Sequence, residues 1–256
     1  MSSRRIDHPA PRRRRARLAL LVLAAVSITL GFLGAVPAEA AEPISSANAR
    51  FVAASYQELL GRPVDDAALD YQLGRIASGG DQSRLALTLS LLFSREGAGR
   101  EVGRAYQSLL LRSAEPAGAE YWTNHLTGRG LLELRVLLLA SDEFFQRAGG
   151  TNQAWLGAFY NEVLERPIDA AGQSYWLGVL DSGVPRASVA GAIHQSNEAL
   201  GHRVEHYFNE ILSRQPSEVE RQAGVTILLS RGERYLRAHL WASDEAFESY
   251  LQEAWS

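Results

Sequence analysis

One apolar spacing recurs four times along the chain and limits what it can fold into. It runs through Val52, Ser55, Tyr56, Leu59 and Leu60, then Val102, Ala105, Tyr106, Leu109 and Leu110. It returns at Leu156, Phe159, Tyr160, Val163 and Leu164, and again at Val204, Tyr207, Phe208, Ile211 and Leu212. Offsets of 3, 4, 7 and 8 residues bring all five positions onto one face of a helix. The anchoring aromatics Tyr56, Tyr106, Tyr160 and Phe208 are 50, 54 and 48 residues apart. A helical unit of that length cannot bury its stripe alone, so neighbouring units must cover one another. The expected fold is all-α: about four three-helix repeats of roughly 50 residues, forming a helical array or two packed bundles.

The links between stripes repeat as well. Arg62, Arg112, Arg166 and Arg214 each follow their aromatic by six residues. A cation in the last turn suits the negative end of a helix dipole. Pro63, Pro167 and Pro216 stop the helix, and Asp65, Glu115, Asp169 and Ser217 stand three residues beyond each Arg. Asp and Ser there are good N-caps for a second helix, and Glu115 is a poorer one. The apolar face of that second helix carries Tyr71 and Ile76, then Tyr121, Trp122 and Leu126, then Tyr175, Trp176, Val179 and Leu180. In the fourth unit it keeps only Ala223, Ile227 and Leu228. Gly79, Gly80, Gly128, Gly130, Gly183 and Gly232 are placed to end these helices. Third helices carry the pairs Leu87/Leu91, Leu134/Leu138, Val189/Ile193 and Leu236/Leu240. Ser94/Glu96, Ser141/Glu143, Ser196/Glu198 and Ser243/Glu245 then restart the helix, with Ser as N-cap and Glu in the first turn. The longest interval holds Gly149, Gly150, Thr151 and Asn152, the best internal linker. Residues 50–148 would then hold repeats 1 and 2, and residues 153–256 repeats 3 and 4.

The start of the chain has another character. A basic cluster from Arg12 to Arg17 leads into the apolar run Leu18 to Val26, which continues more weakly to Val36, before Ala38, Glu39 and Ala40. A positive region, an apolar region and a small-x-small site mark residues 1–40 as a secretory signal peptide, cut after Ala40. The alternative is an uncleaved anchor, since the 19 residues from Leu18 to Val36 suffice to span a bilayer, although Gly31, Gly34 and Pro37 weaken such a helix. The expected location is secreted or in the cell envelope, with membrane contact only through that N-terminal segment. Residues 41–49 form a polar lead-in. After residue 40 the chain carries 19 basic and 27 acidic residues, and this acidity argues against nucleic acid as a partner. With no cysteine, disulfides and thiolate metal sites are excluded.

The run of Tyr160, Leu164, Arg166, Pro167, Asp169, Gly172, Tyr175, Trp176, Gly183, Ser196 and Glu198 resembles the bacterial family called domain of unknown function 4214. Tyr106, Arg112, Gly118, Tyr121, Trp122, Gly130, Ser141, Glu143 and Phe144 follow the same pattern, and the likeness extends in tandem copies over residues 50–250. The first copy has Gln72 in place of Trp, and the fourth lacks the Tyr-Trp pair and its Gly. A looser likeness to phycobilisome linker domains lies in the Leu-x-Arg-Pro and Ser-x-Glu steps. The family resemblance implies a secreted or envelope-associated bacterial protein with no assigned chemistry.

Chemical motifs are few. His202, Glu205 and His206 have the H-x-x-E-H form of inverted zinc peptidases, in which two His one turn apart bind zinc and Glu activates water. The two His align with Arg100/Arg104 and Ala154/Ala158 off the apolar stripe, and a third ligand is needed, so a solvated helix face is the preferred reading. Asp65-Asp66 and Asp169 lack the alternating acids and terminal Glu of an EF-hand. Tyr121/Trp122 and Tyr175/Trp176 suit stacking on sugars, but their spacing with Leu126 and Leu180 favours core packing. Nucleophile elbows and phosphate loops are absent. No catalytic, cofactor-binding or metal residue and no cofactor is expected. The expected function is a non-enzymatic exported module binding a protein or glycan of the envelope, with a secreted metal-dependent hydrolase using the H-x-x-E-H helix as the alternative. Neither the ligand nor the oligomeric state is written in these patterns.

Overall fold

Ser46 opens the first helix by accepting a hydrogen bond from the Ala49 amide at 3.1 Å, so regular structure begins inside the expected lead-in 41–49. The computed structural model describes residues 46–76, 80–126 and 130–253, with side chains as far as 249. The expected signal peptide 1–40, and with it Gly79 and Gly128, lies outside the described residues. Among the described residues the fold is all-α, with fourteen α helices and one π-helical turn. No helix among them is long and apolar enough to cross a membrane.

The helices group about the four Arg turns. The first group is α1 (Ala47–Ser55) running into the π-helical turn Tyr56–Leu60, then α2 (Asp66–Ile76) and α3 (Gly80–Leu92). The second is α4 (Arg95–Leu110), α5 (Pro116–Leu126) and α6 (Leu131–Ala140). The third is α7 (Asp142–Arg147), α8 (Asn152–Leu164), α9 (Ala170–Asp181) and α10 (Arg186–His194). The fourth is α11 (Asn197–Leu212), α12 (Glu218–Arg231) and α13 (Glu233–Trp241), and α14 (Asp244–Glu253) follows.

Local chemistry sets most boundaries. Ser94, Ser141, Ser196 and Ser243 accept from the amides of Gly97, Phe144, Ala199 and Ala246 at 3.0–3.2 Å. Asp65 and Asp169 do the same for Ala68 and Gly172 at 2.9 and 2.8 Å, and Ser217 forms a full capping box with Glu220. The glycines are more varied than expected. Gly183 and Gly232 end their helices with φ of 91° and 83°, but Gly80 begins α3 and Gly130 is the N-cap of α6. Nineteen residues separate Ser141 from Tyr160, against twelve from Ser94 to Tyr106. The surplus is the turn through Gly149 (φ 120°) and Gly150 (φ 68°), which breaks the third first-helix into α7 and α8 before Thr151 caps the latter.

That turn lies within a continuous apolar core. One cluster runs from Ala98, Val102 and Tyr106 through Leu134 and Leu139 to Trp155, Phe159, Tyr160 and Ala199. Trp155, fully buried in α8, donates its Nε1–H to the Leu139 carbonyl of α6 at 2.7 Å. A second cluster joins the two ends of the described chain, packing Phe51, Tyr56, Leu87 and Leu92 with Ala238 and Trp241. Across that seam Trp241 donates to Ser55 at 2.9 Å, the Phe51 and Phe247 rings meet edge to face at 5.9 Å, and Arg84 reaches the Ala242 carbonyl at 3.1 Å and the Asp244 carboxylate. Arg186 makes the same pair of contacts to Ala140 and Asp142 inside the chain. The seam therefore reuses the contact that joins α10 to the end of α6. Residues from Pro43 to Ser256 cluster as one unit.

Buried charge pins α13 in place. Arg237 donates to Glu101 at 2.7 Å, with both side chains under a tenth exposed. Burial would push the Glu101 carboxyl up, but the Arg237 charge and hydrogen bond hold it below the usual range. Removing one partner leaves the other buried and uncompensated, so Glu101→Gln is expected to cost about 3–5 kcal/mol by urea unfolding. His194 is buried against Arg203, whose guanidinium lies 2.5 Å from its Nδ1. Burial, then the Arg203 charge, lowers its pKa from 6.5 to about 3, so it stays neutral in the folded state. Unfolded chain binds that proton near pH 6.5, so stability is full above this value and declines as pH falls toward 3. Between pH 6.5 and 5, above most carboxylate titrations, His194→Gln should flatten the decline of the urea midpoint.

Candidate functional site: arginine turns and exposed tyrosines

Each first helix ends on a left-handed residue directly before its Arg: Gly61 (φ 74°), Leu111 (φ 56°), Glu165 (φ 50°) and Ser213 (φ 55°). Three of these are not glycine, at a cost of roughly 1–2 kcal/mol each for a side chain in that region. At Gly61 a Cβ would also meet the Arg100 guanidinium at 1.9 Å. The reversal lifts the arginine out of the last turn, so it does not serve the helix dipole as expected. It serves a clamp instead.

The clamp has the same parts at all four turns. Nε and Nη2 of Arg62 grip both oxygens of Glu96 at 2.5 and 3.0 Å, and Arg112 holds Glu143 at 2.6 and 2.7 Å. Arg166 holds Glu198 at 2.5 and 3.0 Å, and Arg214 holds Glu245 at 2.5 and 2.7 Å. Nη1 donates to the next carbonyl, at Pro63, Ser113, Pro167 and Gln215, at 2.9–3.2 Å. Each guanidinium stands 5.2–5.3 Å from the ring of Tyr56, Tyr106, Tyr160 or Phe208. The acid three residues on is a looser partner at Asp65 (3.8 Å) and Asp169 (3.6 Å) and a close one at Glu115 (2.9 Å). Arg214 uses Glu220 at 2.6 Å in that role.

The charges respond accordingly. Hydrogen bonds from the arginines hold the Glu143, Glu198 and Glu245 carboxyls below the usual range. Glu220, bonded first by Arg214 and then by Ser217, falls to about 2. Because every gripped Glu lies in the first turn of a following helix, the clamp ties the end of one first-helix to the start of the next. Planar two-point pairing suits arginine and would be lost with lysine.

Behind the clamp, the buried aromatic selects its partner on the second helix. Trp176 donates to the Tyr160 hydroxyl at 3.0 Å, Trp122 bonds the Tyr106 hydroxyl, and Gln72 donates to Tyr56 at 3.4 Å. Phe208 has no hydroxyl to satisfy, and Gly224 occupies the matching place, where a Cβ would strike Val204 at 2.7 Å. The fourth unit thus lacks both the hydroxyl and the side chain that would bond it.

The tyrosine beside each of these positions behaves differently. Tyr71, Tyr121 and Tyr175 are 63, 60 and 63% exposed, which corrects the expectation that Tyr121 and Tyr175 are core residues. Adjacent helical positions point about 100° apart, so Trp122 and Trp176 take the half-buried slot and leave the tyrosines outside. Trp122 and Trp176 hold those rings edge to face at 5.2 and 4.9 Å. His125 stacks on Tyr121 at 5.9 Å, and Arg75 lies over Tyr71 at 5.6 Å.

The H-x-x-E-H residues do not converge. His202 lies 3.8 Å from Glu205, whereas His206 is spread between Glu165 at 3.9 Å and Glu210 at 3.5 Å. Among the described residues no three His, Asp or Glu side chains come together as a metal site requires.

Residues 136–203 match a family model described as Domain of unknown function (DUF4214). The matched stretch holds one complete clamp, Arg166 with Glu198, and the Tyr175/Trp176 pair. No curated protein and no solved structure matches the chain.

Arg166 and Glu198 are both more than a third exposed, so solvent screens their pairing. A double-mutant cycle with Arg166→Ala and Glu198→Ala should give a coupling of about 0.2–1 kcal/mol by urea unfolding. The depressed Glu198 pKa places this coupling above the ordinary Glu range, and it should vanish as pH falls through the folded value or as salt rises to about 1 M.

Proposed function

We propose that the chain is an exported, non-enzymatic binding module made of tandem copies of the matched unit, holding a protein or glycan partner at the bacterial envelope. The observation that carries this reading is the exposure of Tyr71, Tyr121 and Tyr175 at one position of three successive second helices. A helical body that already has buried aromatics for its core gains little in stability from three solvent-facing rings. Large stiff aromatics are, by contrast, the side chains that anchor partners at low entropic cost. Export rests on the basic and apolar leader of residues 1–40.

Intact-mass analysis of the exported protein should place its first residue at Ala41, and retention of residues 1–40 would favour the anchored form. Immobilised protein should retain a component of a bacterial envelope fraction, and the triple variant Tyr71→Ala/Tyr121→Ala/Tyr175→Ala should lose that component while keeping its helical circular dichroism. Retention undiminished by the triple substitution would remove the tyrosines from the binding surface.

A further inference from the structure

The exposed surface is not the same in every unit. At α4 and α5, Arg95 donates to both oxygens of Glu120 at 2.7 and 2.5 Å and to the Asn124 amide oxygen at 2.5 Å. Asn124 donates in turn to Glu120 at 3.0 Å. The first residue after the serine cap is Ala47, Asp142 and Asn197 in the other three units and Asp244 in α14, and Glu120 is matched by Asp70, Ser174 and Gln222. For Asn124 those three units carry Gly74, Gly178 and Thr226. This guanidinium, carboxylate and amide therefore come together in one unit alone among the four. They play no part in the clamp, and with Arg95 and Glu120 about 60% exposed their pairing adds little to stability.

A shallow, open depression of about 550 Å³ lies between the same helices, lined by Arg95, Glu96, Gly99, Glu120 and Thr123. Three residues before Asn124, on the neighbouring stripe of α5 and outside the depression itself, stands the exposed ring of Tyr121, backed by Trp122 and His125.

Resting on the binding-module reading above, we propose that this surface is a subsite for an uncharged oligosaccharide. The sugar ring lies on the Tyr121 face, and its neighbouring hydroxyls exchange hydrogen bonds with Glu120, Asn124 and Arg95. Three planar polar groups side by side can donate to and accept from adjacent hydroxyls. The charge of Arg95 is matched by Glu120 and that of Glu96 by Arg62, so the surface offers no net charge to hold a phosphate or an acidic sugar. The walls carry no large apolar side chain that would anchor a hydrophobic peptide.

Isothermal titration with chitotriose, cellotriose and maltotriose tests the assignment. At least one of the three should bind the purified protein. Tyr121→Ala should weaken it about tenfold, the equivalent of one aromatic contact, and Glu120→Gln should weaken it as well. Leu229→Ala, on the exposed face of α12, should leave the affinity unchanged, and circular dichroism should be intact in all three variants because the substituted side chains are exposed. No heat with any of the three sugars, or equal losses in Tyr121→Ala and Leu229→Ala, overturns the subsite. If an envelope component is still captured through the tyrosines in that case, the carbohydrate inference fails while the binding-module reading stands.

Discussion

The arginine clamp is the contact on which the arrangement of helices depends. A left-handed residue at Gly61, Leu111, Glu165 or Ser213 reverses each first helix, and the arginine that follows grips a glutamate 31 to 34 residues further on. Each pair is partly exposed and individually modest, but its two-point geometry sets an angle as well as a distance. Three non-glycine residues in the left-handed region show that the reversal is held against local preference. The ring beneath each guanidinium links this surface contact to the core, since Tyr56, Tyr106, Tyr160 and Phe208 are all buried.

Successive clamps advance the chain, and a different set of contacts brings its ends together. Arg84 meets Ala242 and Asp244 as Arg186 meets Ala140 and Asp142, so the seam between α3 and the start of α14 imitates a contact made within continuous chain. Arg234 reinforces the seam by donating to the Leu92 and Leu126 carbonyls, and Arg237 by its buried pair with Glu101. Polar groups this deep must be matched, which ties α13 to one register against α3 and α4.

Helical periodicity made the stripes legible, and the N-caps at Asp65, Asp169, Ser217 and the four Ser-x-Glu steps were readable from residue type and place. The pairing of Arg with Glu was present in the sequence as a near-constant spacing, but a helix dipole and a first-turn acid explained each residue locally and hid the partnership across two helices. The tyrosines at 121 and 175 were misplaced for a related reason. A Tyr-Trp pair on a helix has two neighbouring directions, and only the Tyr106 and Tyr160 hydroxyls, satisfied by Trp122 and Trp176, decide which ring turns inward. The Arg95, Glu120 and Asn124 group was signalled only by its difference from the sister positions, since it unites residues from two helices that share no motif.

The aromatics divide their labour: Tyr56, Tyr106, Tyr160 and Phe208 build the core, and on the proposed function the exposed Tyr71, Tyr121 and Tyr175 meet a partner. Urea unfolding of Tyr71→Ala, Tyr121→Ala and Tyr175→Ala beside Tyr160→Ala tests that division most directly. The account predicts that each exposed tyrosine changes stability by no more than about 0.5 kcal/mol, while loss of the buried Tyr160 costs about 3–5 kcal/mol. Comparable losses at Tyr175 and Tyr160 would contradict it, because the outer ring would then be part of the core.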